Sequence, residues 1–205
     1  GIPTMERSKL LGALTRQYDN VIGVCGTHGK TTTSSMITQV LYLSNKEPSA
    51  VIGGKLPLIN SNGLSGKSDI FVCESCEFVN TFLELSPDIS VLLNIDNDHL
   101  DYFKTMDNLI NSFKEFVSMS KLVFYNADDK LTAEAIAALS IDRVSYGLSK
   151  TADYSAENLT TSKYGYCFDV YKKGDFLGGF ELCVPGRHNV MNALAAIAVC
   201  DHLGV

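Results

Sequence analysis

A glycine-rich loop between an apolar strand and a helix constrains the fold of this chain more than any other feature. Residues 26–33 read GTHGKTTT and follow residues 20–25 (NVIGVC), an almost continuously apolar run. Such a run is typical of a strand that is buried on both faces of a sheet. Apolar residues then recur at helical spacing over residues 31–43. Strand, glycine turn and helix together predict the start of a βαβ unit.

Strands and helices continue to alternate up to about residue 150. Further strands are predicted over residues 70–73, 89–95, 121–125 and 144–146, the last at an edge of the sheet. Further helices are predicted over residues 7–18, 78–85, 109–117 and 129–139. This alternation predicts an α/β fold of the P-loop type, with a mostly parallel sheet flanked by helices. Ligands of such sheets bind at the carboxyl ends of the strands.

The pattern changes after about residue 151. Strands rich in aromatic and β-branched residues are predicted over residues 154–159, 166–171 and 176–184. They predict a small antiparallel β-meander over residues 151–186, attached to the main sheet. An alanine-rich helix returns over residues 187–205. We therefore divide the chain into a parallel α/β core (residues 1–150), the meander and this helix.

Composition and charge exclude several classes of protein. Seventeen Lys and Arg against 23 Asp and Glu give a net charge of −6. This balance argues against a duplex nucleic-acid binder, which needs a broad basic face. No apolar run approaches the roughly 20 residues of a membrane helix, and no leader for export is recognisable. We expect a cytoplasmic protein.

The six cysteines are too scattered for a disulfide framework. Cys73 and Cys76 form a C-x-x-C pair, but a zinc site would need a second ligand pair of similar spacing, and a thioredoxin-type redox pair remains the weaker alternative. We expect reduced thiols, most of them buried as small apolar side chains.

The glycine loop has the composition of a triphosphate site. Glycines let backbone N–H groups converge on an anion, and the helix N-terminus adds partial positive charge. Lys30 can reach the β- and γ-phosphates, and the Thr31 hydroxyl can hold Mg²⁺. A full P-loop pattern would have Gly where this chain has Val24. The alternative is a glycine turn with an incidental lysine.

Acidic and imidazole side chains follow two other predicted strands. Glu74 ends one strand, and Asp98 and His99 come just after another. Because parallel strands end at the same edge, these groups should lie beside the phosphate loop, where Glu74 and His99 could hold a second Mg²⁺. Histidine is an uncommon Mg²⁺ ligand, so His99 could instead be a helix-capping or core residue.

Four motifs in order resemble the Mur ligases of peptidoglycan synthesis. They are GTHGKTTT, Glu74 at a strand end, N-x-x-x-D-H at residues 94–99, and VPGRHNVMNALAAIA from Val184. The alanine-adding members are most similar, and the members that attach a recycled murein peptide share much of the pattern. Where the family often has E-A-D-E, this chain has E-S-C-E, which keeps Glu74 and Glu77 and loses the middle acid.

The resemblance implies a role for each matching position. The ATP phosphates would lie against Gly26, Thr27, His28, Gly29, Lys30, Thr31 and Thr32, and the adenine against His188, Asn189 and Asn192. Thr31 would hold the first Mg²⁺, and Glu74 and His99 the second. Lys30, Glu74 and His99 would be the catalytic residues.

The resemblance also implies the reaction. ATP would drive amide formation between L-alanine and UDP-N-acetylmuramate through an acyl phosphate. A UDP-binding domain before this segment and a further domain after it would complete the enzyme, so the chain alone should not ligate. A generic P-loop kinase or NTPase, or a non-catalytic nucleotide-binding module, would share Lys30 and Thr31 but has no reason for Glu74, His99 and the R-H-N run at residues 187–189.

Lys114 lies fifteen residues after His99, where sister ligases carry a carbamylated lysine that supports the second metal. That residue is not general among alanine-adding members. We expect Lys114 to be an ordinary lysine on the exposed face of its helix.

Overall fold

The computed structural model of the chain describes residue 2 and residues 4–205. In this part of the chain the helices are α1 (Arg7–Thr15), α2 (Lys30–Leu43), α3 (Leu100–Phe103), α4 (Met106–Ser118), α5 (Lys130–Ala137) and α6 (Arg187–His202). The strands are β1 (Asn20–Cys25), β2 (Ser49–Leu56), β3 (Ser61–Leu64), β4 (Ile70–Glu74), β5 (Ile89–Leu92), β6 (Leu122–Asn126), β7 (Asp142–Gly147), β8 (Tyr154–Thr161), β9 (Tyr166–Lys172) and β10 (Asp175–Leu182). Two 3-10 segments cover Pro57–Ile59 and Phe78–Glu84.

All ten strands form one sheet, in the order β10-β9-β8-β7-β6-β5-β1-β4-β2-β3. The strands from β8 to β2 in this order run parallel, and β3, β9 and β10 pair antiparallel at the two ends. The chain leaves β1 towards β2 and β4 on one side, and later continues with β5 on the other. The order of strands therefore reverses at β1, which is where open α/β sheets bind their ligands.

Apolar side chains on both faces of the sheet form the core. Helices α2 and α6 cover one face, and α1, α4 and α5 cover the other. Strand β1 serves both: Ile22 and Val24 pack towards α2, Val21 and Cys25 towards α4, and all four are fully buried. This double burial explains why the run NVIGVC has no polar alternation.

The α/β class, the mostly parallel sheet and the attached meander are confirmed. Residues 144–146 are not an edge strand, as the sequence had suggested. They belong to β7, which pairs with β6 on one side and parallel to β8 on the other. The meander therefore extends the main sheet. The residues of β8 do not indicate which strand it joins, so only the observed pairing decides it.

Two strands were not predicted from the sequence, and one predicted helix is of another type. Strand β2 contains two consecutive glycines and β3 is short and polar, so neither shows a clear strand pattern. The predicted helix at residues 78–85 is a 3-10 segment interrupted at Val79 and Asn80, both at positive φ. Within the described residues, no helix combines the length and apolarity needed to cross a membrane.

A hydrogen-bonded ion pair joins the meander to α6. Asp201 Oδ2 accepts from the Tyr154 hydroxyl at 2.5 Å and from Lys172 Nζ at 2.7 Å. Partial burial raises the pKa of Asp201, but the hydrogen bonds from Lys172 and Tyr154 outweigh it and hold the pKa below its ordinary value. Burial, with the hydrogen bond to Asp201, raises the pKa of Tyr154 to about 12. The carboxylate form of Asp201 therefore stabilises the fold.

We predict that Asp201→Asn lowers the free energy of unfolding at pH 7 by about 1–2 kcal/mol, because two hydrogen bonds to a charged acceptor weaken. A folded-state pKa below the unfolded one stabilises the protein above the unfolded pKa of about 3.9 and loses this effect as the pH falls through the folded pKa. Urea unfolding at pH 7 and pH 3 should show the gap between variant and wild type closing at pH 3. Asp175→Asn, at the start of β10, is the control; an equal loss there would contradict the assignment.

Candidate functional site

The glycine loop at the end of β1 bends where side chains cannot fit. Gly26 has a φ of +132° and Gly29 a φ of +89°. A Cβ on Gly29 would lie 2.5 Å from Asn192 Oδ1, and one on Gly26 would lie 3.0 Å from Leu93 Cβ. Gly29 is also the N-cap of α2. Glycine is therefore required here both for backbone conformation and for close approach to α6.

Asn94, in the β5–α3 connection, holds the loop from the neighbouring strand. Its Oδ1 accepts from the His28 backbone N–H at 2.8 Å, and its Nδ2 donates to the His28 carbonyl at 2.9 Å. The Thr27 backbone N–H donates to the Asn94 carbonyl at 3.0 Å. The amides of Thr27 and His28 are thus engaged within the loop. The first N–H groups of α2, from Lys30 to Thr32, have no partner within the helix and are the ones available to an anion.

Lys30 lies folded under the loop. Its Nζ donates to the carbonyls of Gly26 at 2.6 Å and Thr27 at 3.0 Å, and to Glu77 Oε1 at 3.2 Å. Nζ also lies 3.0 Å from Glu77 Oε2. The side chain of Lys30 is 12% exposed and that of Glu77 is 1% exposed. The ammonium group is therefore held at the floor of the loop by a buried carboxylate.

Thr31, Glu74 and Gly53 form a second group of contacts. Glu74 Oε2 accepts from the Thr31 hydroxyl and from the Gly53 backbone N–H, both at 2.8 Å. A Cβ on Gly53 would lie 2.3 Å from that same oxygen. The glycine in β2 therefore lets the carboxylate close on the strand. A hydroxyl and a carboxylate are oxygen ligands of the kind that Mg²⁺ takes.

His99 stands at the N-cap of α3, with φ at +53°. Its Nε2 lies 3.6 Å from Asp98 Oδ2 and 4.0 Å from Glu77 Oε1, and its ring lies 4.9 Å from that of Phe78. The sequence had paired His99 with Glu74. In the structure Glu74 faces Thr31, and the carboxylates near His99 are those of Asp98 and Glu77. That His99 caps a helix does not compete with a ligand role, because the ring is a third exposed.

The oxygen ligands at this site fit a hard divalent cation. These are the Thr31 hydroxyl and the Glu74 carboxylate; Glu77 Oε2 makes no hydrogen bond within the described residues, but it lies 3.0 Å from the Lys30 ammonium. The described part of the chain holds no cluster of three or more His, Cys, Asp or Glu side chains. Mg²⁺ needs no such cage, because it usually keeps waters and binds one or two carboxylates together with substrate phosphates.

Strained backbone carries Glu77. Val79 and Asn80, in the 3-10 segment that follows it, have φ values of 55° and 57°. Conformations of this kind cost about 1–3 kcal/mol for each residue and persist only where the surroundings enforce them. Here the Ser112 hydroxyl, on α4, donates to Asn80 Oδ1 at 2.6 Å.

The cysteines of this region are free thiols. Burial raises the pKa of Cys73 to about 12, and burial together with the nearby Glu77 raises the pKa of Cys25 above its ordinary range. Cys76 is exposed. All six cysteines are free in the structure, but only Cys25, Cys73 and Cys200 are buried, so the expectation that most are buried was wrong.

A cavity of about 410 Å³ opens between the loop, the ends of β5 to β7 and α6. It is lined by His28, Gly29, Leu93, Asn94, Asn126, Tyr146, His188, Met191 and Asn192. Asn189 does not line it: its Nδ2 donates to the Pro185 carbonyl at 2.7 Å, and its Oδ1 accepts from Asn192 Nδ2 at 3.1 Å. Of the three residues assigned to adenine, His188 and Asn192 face the cavity, and Asn189 orients Asn192.

A second cavity, of about 420 Å³, lies on the other side of Glu74, between α1 and the 3-10 segment. Glu6, Arg7, Ser8 and Leu11 line it from the α1 side, and Glu74, Cys76, Phe78, Val79, Thr81, Phe82 and Leu85 from the other. It places Arg7 and a largely apolar wall beside the carboxylate that contacts Thr31.

Comparison with known proteins identifies the family of the chain. Residues 24–200 match the family model described as the Mur ligase middle domain. The chain belongs to the Mur ligase family. The motifs from which the sequence analysis inferred this resemblance are those that build the loop, the acidic group and the α6 cavity.

The Mur ligase domain is similar to named enzymes over its whole length. The UDP-N-acetylmuramate–L-alanine ligase of Caldanaerobacter subterraneus subsp. tengcongensis is 42% identical over 209 aligned positions, covering 100% of this chain and 45% of that protein. A crystal structure of the UDP-N-acetylmuramate–alanine ligase of Thermotoga maritima matches with a TM-score of 0.82 at 32% identity, over 96% of this chain and 44% of that one. The chain thus spans less than half the length of these relatives.

A second structure has the same fold and is named as a ligase for a different substrate. It is the UDP-N-acetylmuramate:L-alanyl-γ-D-glutamyl-meso-diaminopimelate ligase of Neisseria meningitides. The TM-score is 0.86 at 27% identity, and the match covers 100% of this chain and 68% of that one.

Lys114 lies away from the site. It lines a surface cavity between α4 and α5, together with Asp107, Ile110, Asn111, Leu131, Glu134 and Ala135. None of the predicted site residues borders that cavity. The spacing of fifteen residues from His99 therefore does not bring the two side chains into one cavity of the described chain.

The sequence analysis missed two residues that shape the site. Gly53 escaped because β2 was not predicted, although two consecutive glycines after a short apolar run were a signal of close approach. Glu77 was noted only as part of the E-S-C-E run. Its burial and its contact with Lys30 depend on how the strained segment folds back, which residue type and spacing do not encode.

We predict that Gly29→Ala weakens the binding of a magnesium nucleotide by at least about tenfold, because the new Cβ would displace Asn192 and the start of α2. Gly174→Ala is the matched control: Gly174 also has a φ of +89°, but nothing lies within 4 Å of its would-be Cβ. Both variants should lose about 1 kcal/mol of stability from backbone strain. Isothermal titration with ADP and Mg²⁺ should separate them; equal affinities would contradict the close approach at Gly29.

Proposed function

We propose that this domain binds ATP and Mg²⁺ and that the full-length enzyme joins L-alanine to UDP-N-acetylmuramate in the cytoplasm. The observation that carries the proposal is the convergence of Lys30, Thr31, Glu74 and His99 at the carboxyl ends of β1, β4 and β5. Relatives that are about 40% identical over essentially the whole chain are named as UDP-N-acetylmuramate–L-alanine ligases, which supports the same reaction.

The nucleotide would occupy the α6 cavity and the loop. Its base would lie between His188 and Asn192, whose amide can both donate to and accept from a purine edge. Its phosphates would meet the free N–H groups from Lys30 to Thr32, where the helix N-terminus favours negative charge. Gly26, Thr27, His28 and Gly29 would shape the loop around them, and the Lys30 ammonium lies within the same loop.

Thr31 and Glu74 would hold one Mg²⁺, and His99 would contribute to a second. When bound, Mg²⁺ neutralises charge on the transferring phosphoryl group and on the acceptor carboxylate. Thr31 and Glu74 already have their oxygens 2.8 Å apart.

The chemistry assigned to the full-length enzyme has two steps. The carboxylate oxygen of UDP-N-acetylmuramate forms a bond to the γ-phosphorus while the bond from that phosphorus to the β–γ bridging oxygen breaks, which gives an acyl phosphate and ADP. The amine of L-alanine then attacks the acyl carbon, phosphate leaves with the C–O bond electrons, and the amine loses a proton. No nucleophilic side chain is needed, so positioning and charge neutralisation supply the catalysis.

The part of the relatives' length that this chain does not span is expected to contact the substrates. We propose that a UDP-binding domain before this segment and a further domain after it supply the remaining contacts to UDP-N-acetylmuramate, L-alanine and ATP. The cavity between α1 and the 3-10 segment would admit the acceptor carboxylate, since it opens at Glu74 and carries Arg7.

The second candidate is a ligase for a murein peptide, because the structural match to the Neisseria enzyme is as extensive as that to the alanine ligase. Phosphate release by the full-length protein, with ATP, Mg²⁺ and UDP-N-acetylmuramate, separates the two. Release with L-alanine supports the proposal. Release only with the tripeptide L-alanyl-γ-D-glutamyl-meso-diaminopimelate would replace it with the second candidate, and release that needs neither would indicate a generic NTPase.

We predict that Lys30→Ala in the full-length enzyme lowers kcat by at least about 100-fold, because the transferring phosphoryl group loses a fixed positive charge. Lys67→Ala removes an equal charge from a side chain that is 85% exposed and should leave kcat unchanged. Steady-state phosphate release measures both. Near-normal turnover by Lys30→Ala would refute the role of this residue.

We also predict that the isolated 205-residue chain forms no amide, and that it binds ATP more weakly than the full-length enzyme, because domains outside it complete the site. Product formation can be followed by chromatography of UDP-linked species, with the full-length protein as the positive control. Amide formation by the isolated chain would overturn the proposal that flanking domains are required.

A further inference from the structure

Glu77 is the carboxylate that the proposed reaction leaves without a role. It follows β4 by three residues and is buried to 1% exposure, whereas Glu74 in the same acidic run is partly open. Burying a carboxylate is unfavourable unless charge and hydrogen bonds compensate for the lost water. The chain nevertheless holds Glu77 there by means of two consecutive residues at positive φ.

The compensation comes from two predicted catalytic residues that follow two different strands. Glu77 Oε1 and Oε2 lie 3.2 Å and 3.0 Å from the Nζ of Lys30, which follows β1. Oε1 also lies 4.0 Å from the Nε2 of His99, which follows β5. Glu77 therefore stands between the cation that would meet the γ-phosphate and the imidazole that would meet the second metal.

We infer that Glu77 is a positioning residue that sets the place of Lys30 and His99 relative to each other. The inference rests on the proposed function for its catalytic consequence, but not for the contact itself. The Lys30 ammonium lies between Glu77 and the glycine loop, because it also donates to the loop carbonyls of Gly26 and Thr27.

Support for the carboxylate comes from the far side of the turn. The Asn80 backbone N–H donates to the Glu77 carbonyl at 2.9 Å, and Ser112 on α4 holds Asn80 by its side chain at 2.6 Å. The α4 helix thus fixes the turn, the turn fixes Glu77, and Glu77 fixes Lys30. Phe78, next in the chain, packs its ring on His99.

Charge predicts how the role should appear in kinetics. Glu77 adds negative charge next to a site for a polyanion, so removing it should not weaken ground-state binding of ATP. Its loss should instead let Lys30 and His99 move, which impairs phosphoryl transfer because that step needs both side chains in fixed positions. The expected signature is a fall in kcat without a rise in the dissociation constant of ATP.

The test is Glu77→Gln in the full-length enzyme, with Glu115→Gln on the exposed surface of α4 as the matched control. We expect kcat to fall at least about tenfold, while the dissociation constant of MgATP from isothermal titration stays within about threefold. Adding Glu77→Gln to Lys30→Ala should lower kcat by less than about threefold further, because coupled residues are not additive.

A second readout does not depend on the reaction. Trinitrobenzenesulfonate should label Lys30 at least about tenfold faster in Glu77→Gln than in wild type, because a freed amine is more reachable. Peptide mass spectrometry measures the rate, with the exposed Lys67 as the reference in the same digest. If wild-type enzyme fails to use UDP-N-acetylmuramate and L-alanine, the proposed function fails, and the labelling result still decides the inference.

Either of two results would overturn the inference: an unchanged labelling rate of Lys30, or a kcat within about threefold of that of the Glu115→Gln control. A third would be a fall in kcat together with equally weakened ATP binding and a lower melting temperature, because that combination indicates a merely structural role. If Glu77→Gln does not fold, Ser112→Ala replaces it, since it loosens only the turn. That variant should raise labelling and lower kcat about two- to fivefold, and no change in either would also refute the role.

Discussion

The burial of β1 at the centre of the sheet is the constraint on which the rest of the structure depends. Its neighbours are β4 on one side and β5 on the other, so three strands end side by side at the point where the strand order reverses. The loops that leave those ends carry Lys30, Glu77 and His99. A strand that is paired on both edges and packed on both faces cannot shift without breaking its hydrogen bonds to β4 and β5 and its side-chain packing, and the loop positions are therefore fixed as well.

The charge of the site is arranged locally and not by the composition of the chain. The net charge is −6, and Glu74, Glu77 and Asp98 all lie at the edge where we propose that a triphosphate binds. Such an edge repels a bare polyanion. One lysine, the N-terminus of α2 and bound Mg²⁺ can reverse this locally, because carboxylates that would repel phosphate alone become the ligands of the cation between them.

The backbone that follows the acidic run is strained, and a contact with α4 supports it. Val79 and Asn80 adopt positive φ values in a segment that a helical pattern had predicted to be regular. The Asn80 backbone N–H donates to the Glu77 carbonyl, and Asn80 Oδ1 accepts from the Ser112 hydroxyl on α4. A sequence rule that predicts a helix from apolar spacing has no term for a partner on another helix, which is why this deviation and the burial of Glu77 went unseen together.

Much of the site could be predicted because its signals are local. The glycine loop, Lys30 and Thr31 are contiguous, and β1 and α2 were recognisable by continuous and by helical apolar spacing. The roles of His188, Asn189 and Asn192 remain predictions, although the structure brings His188 and Asn192 to one cavity. Strand β2 was missed because glycine lowers strand propensity. One of its two glycines, Gly53, donates its backbone N–H to the Glu74 carboxylate.

The sequence by itself determined the class of fold and the family and predicted a phosphate loop, because hydrophobic period, glycine placement and motif order are properties of neighbouring residues. The tertiary structure alone decided which carboxylate meets which partner. Glu74 joins Thr31 and Gly53, while Glu77 joins Lys30 and approaches His99. These partners are 21 to 47 residues apart in the chain, and only the pairing of strands and the packing of α4 against the turn bring them within hydrogen-bonding distance.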